Sequence, residues 1–215
     1  MLHVEHMEIK KEDIEKIYLE KKEYFIKYRD MIQFYNERCG LTSIDIDSFE
    51  EKHFLDSLTL LPLIKKYINN EICFADIGTG AGFPSIPLLI INPEIKIDLI
   101  ESNHRKAEFL IEVIKIFNFN NVNIICSNVK ELKNQYDIVF FRAFSSLSYF
   151  FKLSKNILKN NCRIFAMKGK LSELNKEISI VKNEKIWKYI TVFEIHKVVN
   201  FDWERNILEL LWVKS

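Results

Sequence analysis

Glycine, proline and cysteine are all scarce in this chain, with five, four and four residues among 215. Cys39, Cys73, Cys126 and Cys162 lie far apart and form no CxxC pair, so neither a zinc ribbon nor a dithiol redox motif can be written from them. Three of them sit in or beside apolar runs, and buried free thiols of a reducing compartment are expected. No apolar run approaches the ~20 residues that span a bilayer. Residues 1–10 carry acids and histidines where a signal peptide places a basic start and an apolar core. A cytoplasmic location without a membrane partner is therefore expected. An excess of either charge is missing too: 31 Lys and Arg stand against 30 Asp and Glu, so a nucleic-acid partner would need a local basic face. The histidines His3, His6, His104 and His196 are scattered and outline no metal site.

What is present fits one main core with an appendage, since 48% of the chain is apolar. Residues 1–70 read as a helical N-terminal extension. Ile14, Ile17 and Tyr18, then Tyr24, Phe25, Tyr28 and Ile32, recur at helical spacing, and only Gly40 interrupts. A second helical stretch covers 49–67, with Ser48 as its cap and Phe54, Leu55, Leu58 and Leu61 as its apolar stripe. Pro62 either breaks it or begins a new turn. From 71 to 215 short β-rich runs (72–76, 96–100, 122–126, 136–141, 162–167) alternate with helical ones (84–91, 104–117, 147–158, 171–182), which is how a parallel α/β sheet is written. Two last apolar runs, 189–193 and 207–213, have no long helix between them and fit an antiparallel hairpin at the sheet edge.

Three of the five glycines, Gly78, Gly80 and Gly82, fall within five residues directly after the first of these strands. A strand turning sharply into a helix needs positions tolerant of positive φ, and a ligand lying against backbone needs positions without Cβ. Pro84 suits a first helical turn, whose free N–H groups and positive dipole end favour a carboxylate. The spacing G-x-G-x-G is neither that of dinucleotide folds nor that of phosphate loops. With Asp76 at the strand end it looks like motif I of S-adenosylmethionine enzymes, where the acid helps place the methionine amino end. Glu101, one βα unit later, is placed to accept both hydroxyls of a ribose. The fold class predicted is therefore α/β, a class I S-adenosylmethionine-dependent methyltransferase: Rossmann-like, mostly parallel, with an antiparallel C-terminal strand and the N-terminal helical extension. Residues 71–215 form its cofactor-binding domain.

Four stretches occur in one order and spacing: Lys52-His-Phe-Leu-Asp-Ser-Leu58, Asp76-Ile-Gly-Thr-Gly-Ala-Gly-Phe-Pro84, Phe141-Arg-Ala-Phe144 with Leu147, and Met167-Lys-Gly169. In them the chain resembles the RsmG (GidB) family, bacterial methyltransferases of N7 of a guanosine, nucleotide 527, in the 530 loop of 16S ribosomal RNA. The resemblance runs from about Met31 to Glu204-Arg-Asn206 and Val213-Lys214. It implies S-adenosyl-L-methionine as cofactor and 16S ribosomal RNA or the small subunit as partner, and a monomer is expected. It makes Gly78 and Phe83 cofactor contacts, Glu101 the ribose acid, Val129 and Lys130 the adenine-side pair, and Arg142 the family's arginine after the fourth strand. Three positions depart from the family: Gly40-Leu-Thr42 stands where Asn-Leu-Thr is usual, Ser85 replaces a glycine, and Lys130 removes a carboxylate, leaving an adenine contact to backbone or Glu131.

Guanine N7 has a free lone pair at neutral pH, so its methylation needs orientation rather than a general base. Arg142 and Lys168 are the candidate catalytic residues, donating to guanine O6 or a nearby phosphate, while an ordinary ion pair of Arg142 with Asp137 or another acid is an equal alternative. Lys168, His53 and Asp56 are candidate substrate contacts. His53 and Asp56 lie three apart, on one helical face, where they either orient the base or brace the cofactor loop; a surface or capping histidine is equally consistent. Lys10, Lys11, Lys21, Lys22, Lys27 and Arg29 form one basic patch and Asn103-His-Arg-Lys106 another. Both read equally as RNA contacts and as solvated helix faces. There is no Asn-Pro-Pro-Tyr run for exocyclic amines and no Pro-Cys nucleophile for cytosine C5. A small-molecule methyltransferase of the same fold, or a non-catalytic ribosome-assembly protein, would differ in leaving ribosomal RNA unmodified.

Overall fold

The structure, a computed structural model, describes residues 8–69 and 71–214 apart from the side chains of Val192 and Phe193. His3, His6 and most of the segment read against a signal peptide lie outside the described residues.

Eight strands form one sheet in the order β1-β7-β8-β6-β5-β2-β3-β4. Their ranges are β1 Glu8–Lys10, β2 Phe74–Ile77, β3 Ile97–Glu101, β4 Val122–Cys126, β5 Tyr136–Arg142, β6 Leu158–Lys168, β7 Ile190–Val199 and β8 Arg205–Trp212. From β6 to β4 all pairings are parallel, whereas β8 runs antiparallel to both β6 and β7. This is the mixed sheet expected. β2 has β3 on one side and β5 on the other, so the strand order reverses at its carboxyl end, which is where open α/β sheets bind ligands. The central strands split their apolar residues between two cores by their period of two. Ile138 and Phe140 of β5 face one cluster, Val139 and Phe141 the other.

The N-terminal helices α1 (Lys11–Leu19) and α2 (Lys22–Cys39) bury Ile14, Tyr18, Phe25, Tyr28 and Ile32 in the same cluster as Ile86, Leu110 and Phe140. Gly40, at φ +59°, ends α2 with a left-handed cap. Helix α3 (Ile46–Phe49) is capped by Asp45, whose carboxylate accepts the Ser48 N–H at 2.9 Å; Ser48 thus supplies the capped amide and not the cap. The chain continues through a π-helical turn, Glu50–Leu55, into α4 (Asp56–Leu58), and Pro62 sits in the first turn of α5 (Leu61–Ile64).

Helices α6 (Ser85–Ile91), α7 (His104–Phe117), α8 (Leu147–Ser154) and α9 (Leu171–Lys182) flank the sheet. α8 is shorter than the apolar run suggested, because the Tyr136 N–H donates to Ile157 O and Leu158 pairs with Tyr136, so the sheet claims that backbone. The C-terminal hairpin is longer than its apolar runs and is not at the sheet edge, since β1 adds in parallel outside β7. Cys162 is buried, but Cys126 is exposed, on the opposite edge strand. Among the described residues no helix is long and apolar enough to cross a membrane.

Candidate cofactor and substrate cavity

The carboxyl ends of β2, β3, β5 and β6 open onto a cavity of about 940 Å³, the upper part of the ~300–1,000 Å³ range of ligand clefts. The loop after β2 forms one wall. Its Gly78 N–H donates to Ile100 O at 2.9 Å, and its glycines take φ of +69°, +60° and +93°. The three have different neighbours. A Cβ on Gly80 would touch only Gly78 O, at 3.9 Å, so its absence widens the cavity. One on Gly78 would meet the Phe144 ring at 2.8 Å. One on Gly82 would run into Ile86 at 2.5 Å and the Tyr28 hydroxyl at 2.7 Å, so Gly82 serves packing behind the loop and does not line the cavity.

Asp76 is wholly buried beneath this loop. Its Oδ2 accepts from Thr79 at 2.7 Å and from Ser85 at 2.5 Å, while Oδ1 has no partner. Burial lifts its pKa to about 7 against the pull of those two hydroxyls and of Arg142. Ser85 thus makes a bond that a glycine at this position could not. Glu101 lines the cavity, its two oxygens accepting from Gly80 N at 2.9 Å and Asn103 N at 2.8 Å. Each oxygen keeps one free lone pair, and an acceptor-only carboxylate facing a groove without Cβ atoms fits a sugar diol. Val129 and Lys130 stand elsewhere. Val129 lines a hollow of about 180 Å³ on the far side of Phe144, and Lys130 is exposed, its own amide donating to Asn128 Oδ1. Gly78 and Phe144 border both spaces.

Around Arg142, at the end of β5, the structure assembles residues that are distant in sequence. Nη1 donates to Asp56 Oδ2 at 2.9 Å and to Lys52 O at 3.0 Å, Nη2 reaches His53 Nδ1 at 2.9 Å, and the guanidinium lies 4.8 Å over the Phe83 ring. Arg205 of β8 donates to both oxygens of Asp56, at 2.5 and 3.1 Å. His53 stacks on Phe83 with centroids 4.1 Å apart and planes 8° apart, and its Nε2 is 2.7 Å from Thr42 Oγ1. Burial, with Arg142 beside it, pushes the His53 pKa down to about 3, so the ring is neutral. The partner acid of Arg142 is Asp56, while Asp137 pairs with Lys159. Lys168, also on the cavity wall, pairs with Glu177 at 2.8 Å and donates to Ser145 O.

The cavity therefore brings together Gly78, Gly80, Phe83, Glu101, His53, Arg142 and Lys168, with Asp76, Gly82 and Asp56 bracing it from behind. Thr42, Thr79, Phe144, Trp203 and Arg205 had no site role assigned from sequence; all five line the cavity, Thr42 and Trp203 because the end of α2 and the turn before β8 converge there. Of the basic patches, Lys106 at the start of α7 reaches the rim. Away from the cavity, His196 meets Glu209 at 2.9 Å and Glu194 at 3.7 Å, and Arg163 pairs with Glu209, a chain of polar contacts across β6, β8 and β7.

The architecture is that of class I S-adenosylmethionine-dependent methyltransferases. A methyltransferase of Aquifex aeolicus superposes over 79% of this chain and 94% of its own with a TM-score of 0.57 at 18% identity. M. jannaschii TYW2 in complex with AdoMet superposes over 72% of this chain and 76% of its own with a TM-score of 0.55 at 19% identity. Within that class the chain belongs to the GidB family, rRNA small subunit methyltransferase G, whose model matches residues 21–208. Ribosomal RNA small subunit methyltransferase G of Brachyspira hyodysenteriae is 34% identical over 91% of this chain and 93% of its own length, and that of Hydrogenovibrio crunogenus 34% identical over 86% and 82%. The chain is accordingly a methyltransferase of small-subunit ribosomal RNA.

Proposed function

We propose that the protein transfers a methyl group from S-adenosyl-L-methionine to N7 of a guanosine in the 530 loop of 16S ribosomal RNA. The observation that carries the reading is the absence of a free base on the cavity wall among the described residues. His53 has both ring nitrogens engaged, and each Glu101 oxygen holds a backbone N–H and in this reading gives its remaining lone pair to the cofactor's ribose. An exocyclic amine or a hydroxyl needs a base to take its proton, and N7 needs none. The cofactor supplies an electrophilic methyl on a sulfonium. Gly78, Gly80 and Phe83 form its bed, Glu101 accepts its ribose hydroxyls, Asp76 orients the loop toward its amino end, and Val129 with the Lys130 backbone borders its adenine. Arg142 acts by fixing His53 and Phe83, three of its five N–H groups donating to Asp56, His53 and Lys52, and Lys168 shapes the base side through Glu177. Residues 1–70 serve as an N-terminal extension to the catalytic domain, 71–215, contributing α1 to α5 and the strand β1.

Incubation with methyl-labelled cofactor and small subunits lacking the modification is expected to place the label on one guanosine of the 530 loop as N7-methylguanosine. Label on another atom or nucleotide would overturn the reading. Arg142→Ala is expected to lose most methylation, and full methylation with full cofactor affinity would remove Arg142 from the site.

A further inference from the structure

We infer that the hydroxyl of Thr42 is the donor that recognises O6 of the target guanine, in the part of the cavity formed by residues 40–44. The inference rests on the guanine-N7 reading and adds the residue that selects the base. Arginine has no acceptor, so Arg142 Nη2, 2.9 Å from His53 Nδ1, must donate to it. The other ring nitrogen then carries the proton, since a neutral imidazole has one donor and one acceptor. His53 Nε2–H therefore donates to Thr42 Oγ1 at 2.7 Å, and the Ile44 N–H donates to the same oxygen at 3.0 Å. Both acceptor positions of that hydroxyl are filled, which leaves its proton to donate, and Thr42 lines the cavity. A histidine pKa pushed down to about 3 keeps this arrangement through the physiological range.

The hydroxyl is also held in place from behind. Asn36 accepts the N–H groups of Leu41 and Thr42 at 2.8 and 2.9 Å and donates to Thr42 O at 2.9 Å, tying the loop to the end of α2. Thr42 thus ends a relay from Asp56 through Arg142 and His53. Guanine presents N7 and O6 on one edge, so a base offering N7 to the methyl group offers O6 to a neighbouring donor. A neutral donor suits this reaction better than a cation, because methylation at N7 leaves the ring positively charged. Of the five cations lining the cavity, Arg142 and Arg205 are paired with Asp56, and Lys168 with Glu177. Trp203, half-buried on the same wall, offers a ring for the base to stack on.

Small subunits reconstituted with either guanosine or 2-aminopurine riboside at the target nucleotide test this, since 2-aminopurine keeps N7 and lacks O6. The wild-type enzyme is expected to prefer guanosine in kcat/KM by at least roughly fivefold, the worth of a lost hydrogen bond. Thr42→Val is expected to bring that preference close to one, Thr42→Ser to retain it, and cofactor affinity measured by calorimetry to be unchanged in both. Differences in reactivity between the two bases cancel in the comparison of enzymes. An equal preference in wild type and Thr42→Val overturns the inference, as does a wild type that does not distinguish the bases even if the valine variant fails to fold. Absence of N7 methylation on the guanosine subunits by wild type overturns the underlying reading itself.

Discussion

The three loop glycines share a motif yet do different jobs, and substitution separates them. Gly80→Ala adds a methyl group in van der Waals contact with Gly78 O, at a left-handed φ. It should cost about 1 kcal/mol of stability but at least tenfold in cofactor affinity, measured by calorimetry. Gly82→Ala drives a methyl group into Ile86 and Tyr28 and should cost roughly 2–4 kcal/mol in urea denaturation. If Gly82→Ala were as stable as Gly80→Ala, the division of roles would be wrong. His53 and Asp76 make a second pair with opposite behaviour. His53, with a pKa lowered from 6.5 to about 3, takes a proton on unfolding, so its contribution is present above 6.5 and is lost as pH falls. Asp76, raised from 3.8 to about 7, releases one on unfolding, so its contribution is full below 3.8 and is lost as pH rises through about 7. Between about pH 4.5 and 6 the two slopes oppose each other, near 1.4 kcal/mol per unit each. Relative to wild type, Asp76→Asn should therefore gain stability with rising pH and His53→Asn should lose it, in denaturation of the ligand-free protein. Parallel curves for all three would show that neither group titrates as described.

At the scale of elements, β1 shields the edge of β7 that the C-terminal hairpin would otherwise leave open. Its Ile9 is buried, and Ile9→Ala should cost about 2 kcal/mol. Hydrogen exchange should quicken at Lys197 to Val199 and stay unchanged along β5, and equal exchange in wild type and Ile9→Ala would deny β1 its protective role. This strand was invisible in the sequence because three residues carry no readable period and the partner lies at the other end of the chain. The central strands, by contrast, were legible as apolar runs, since burial on both faces leaves a continuous signature. Leu158 was read into α8 because an apolar run does not say whether helix or sheet will claim it. The site divides in the same way. The glycine loop and Glu101 were readable because turn and strand end are local. The association of Thr42, His53, Arg142 and Arg205 was not, because four separate elements contribute one residue each.

Asp56 links three parts of the molecule, the N-terminal helical segment that carries it, β5 through Arg142 and β8 through Arg205. Its carboxylate is 1% exposed and the two guanidinium groups only 11% and 18%, so removing it strands two partly buried cations. Losing one partner of a buried pair costs about 3–5 kcal/mol, and Asp56→Ala should fall in that range. The apolar cluster joining Tyr28, Phe54 and Phe83 to Phe140 makes the N-terminal helices and the sheet one cooperative unit. The variant should therefore unfold in a single transition, with far-ultraviolet circular dichroism and the fluorescence of the buried Trp212 changing together. An early loss of helical signal while Trp212 stays native would instead make the N-terminal segment a separately folding unit held by this charge. Because the pair is shielded from solvent, raising the salt concentration should leave the stability difference between variant and wild type nearly unchanged, whereas a surface pair would be screened.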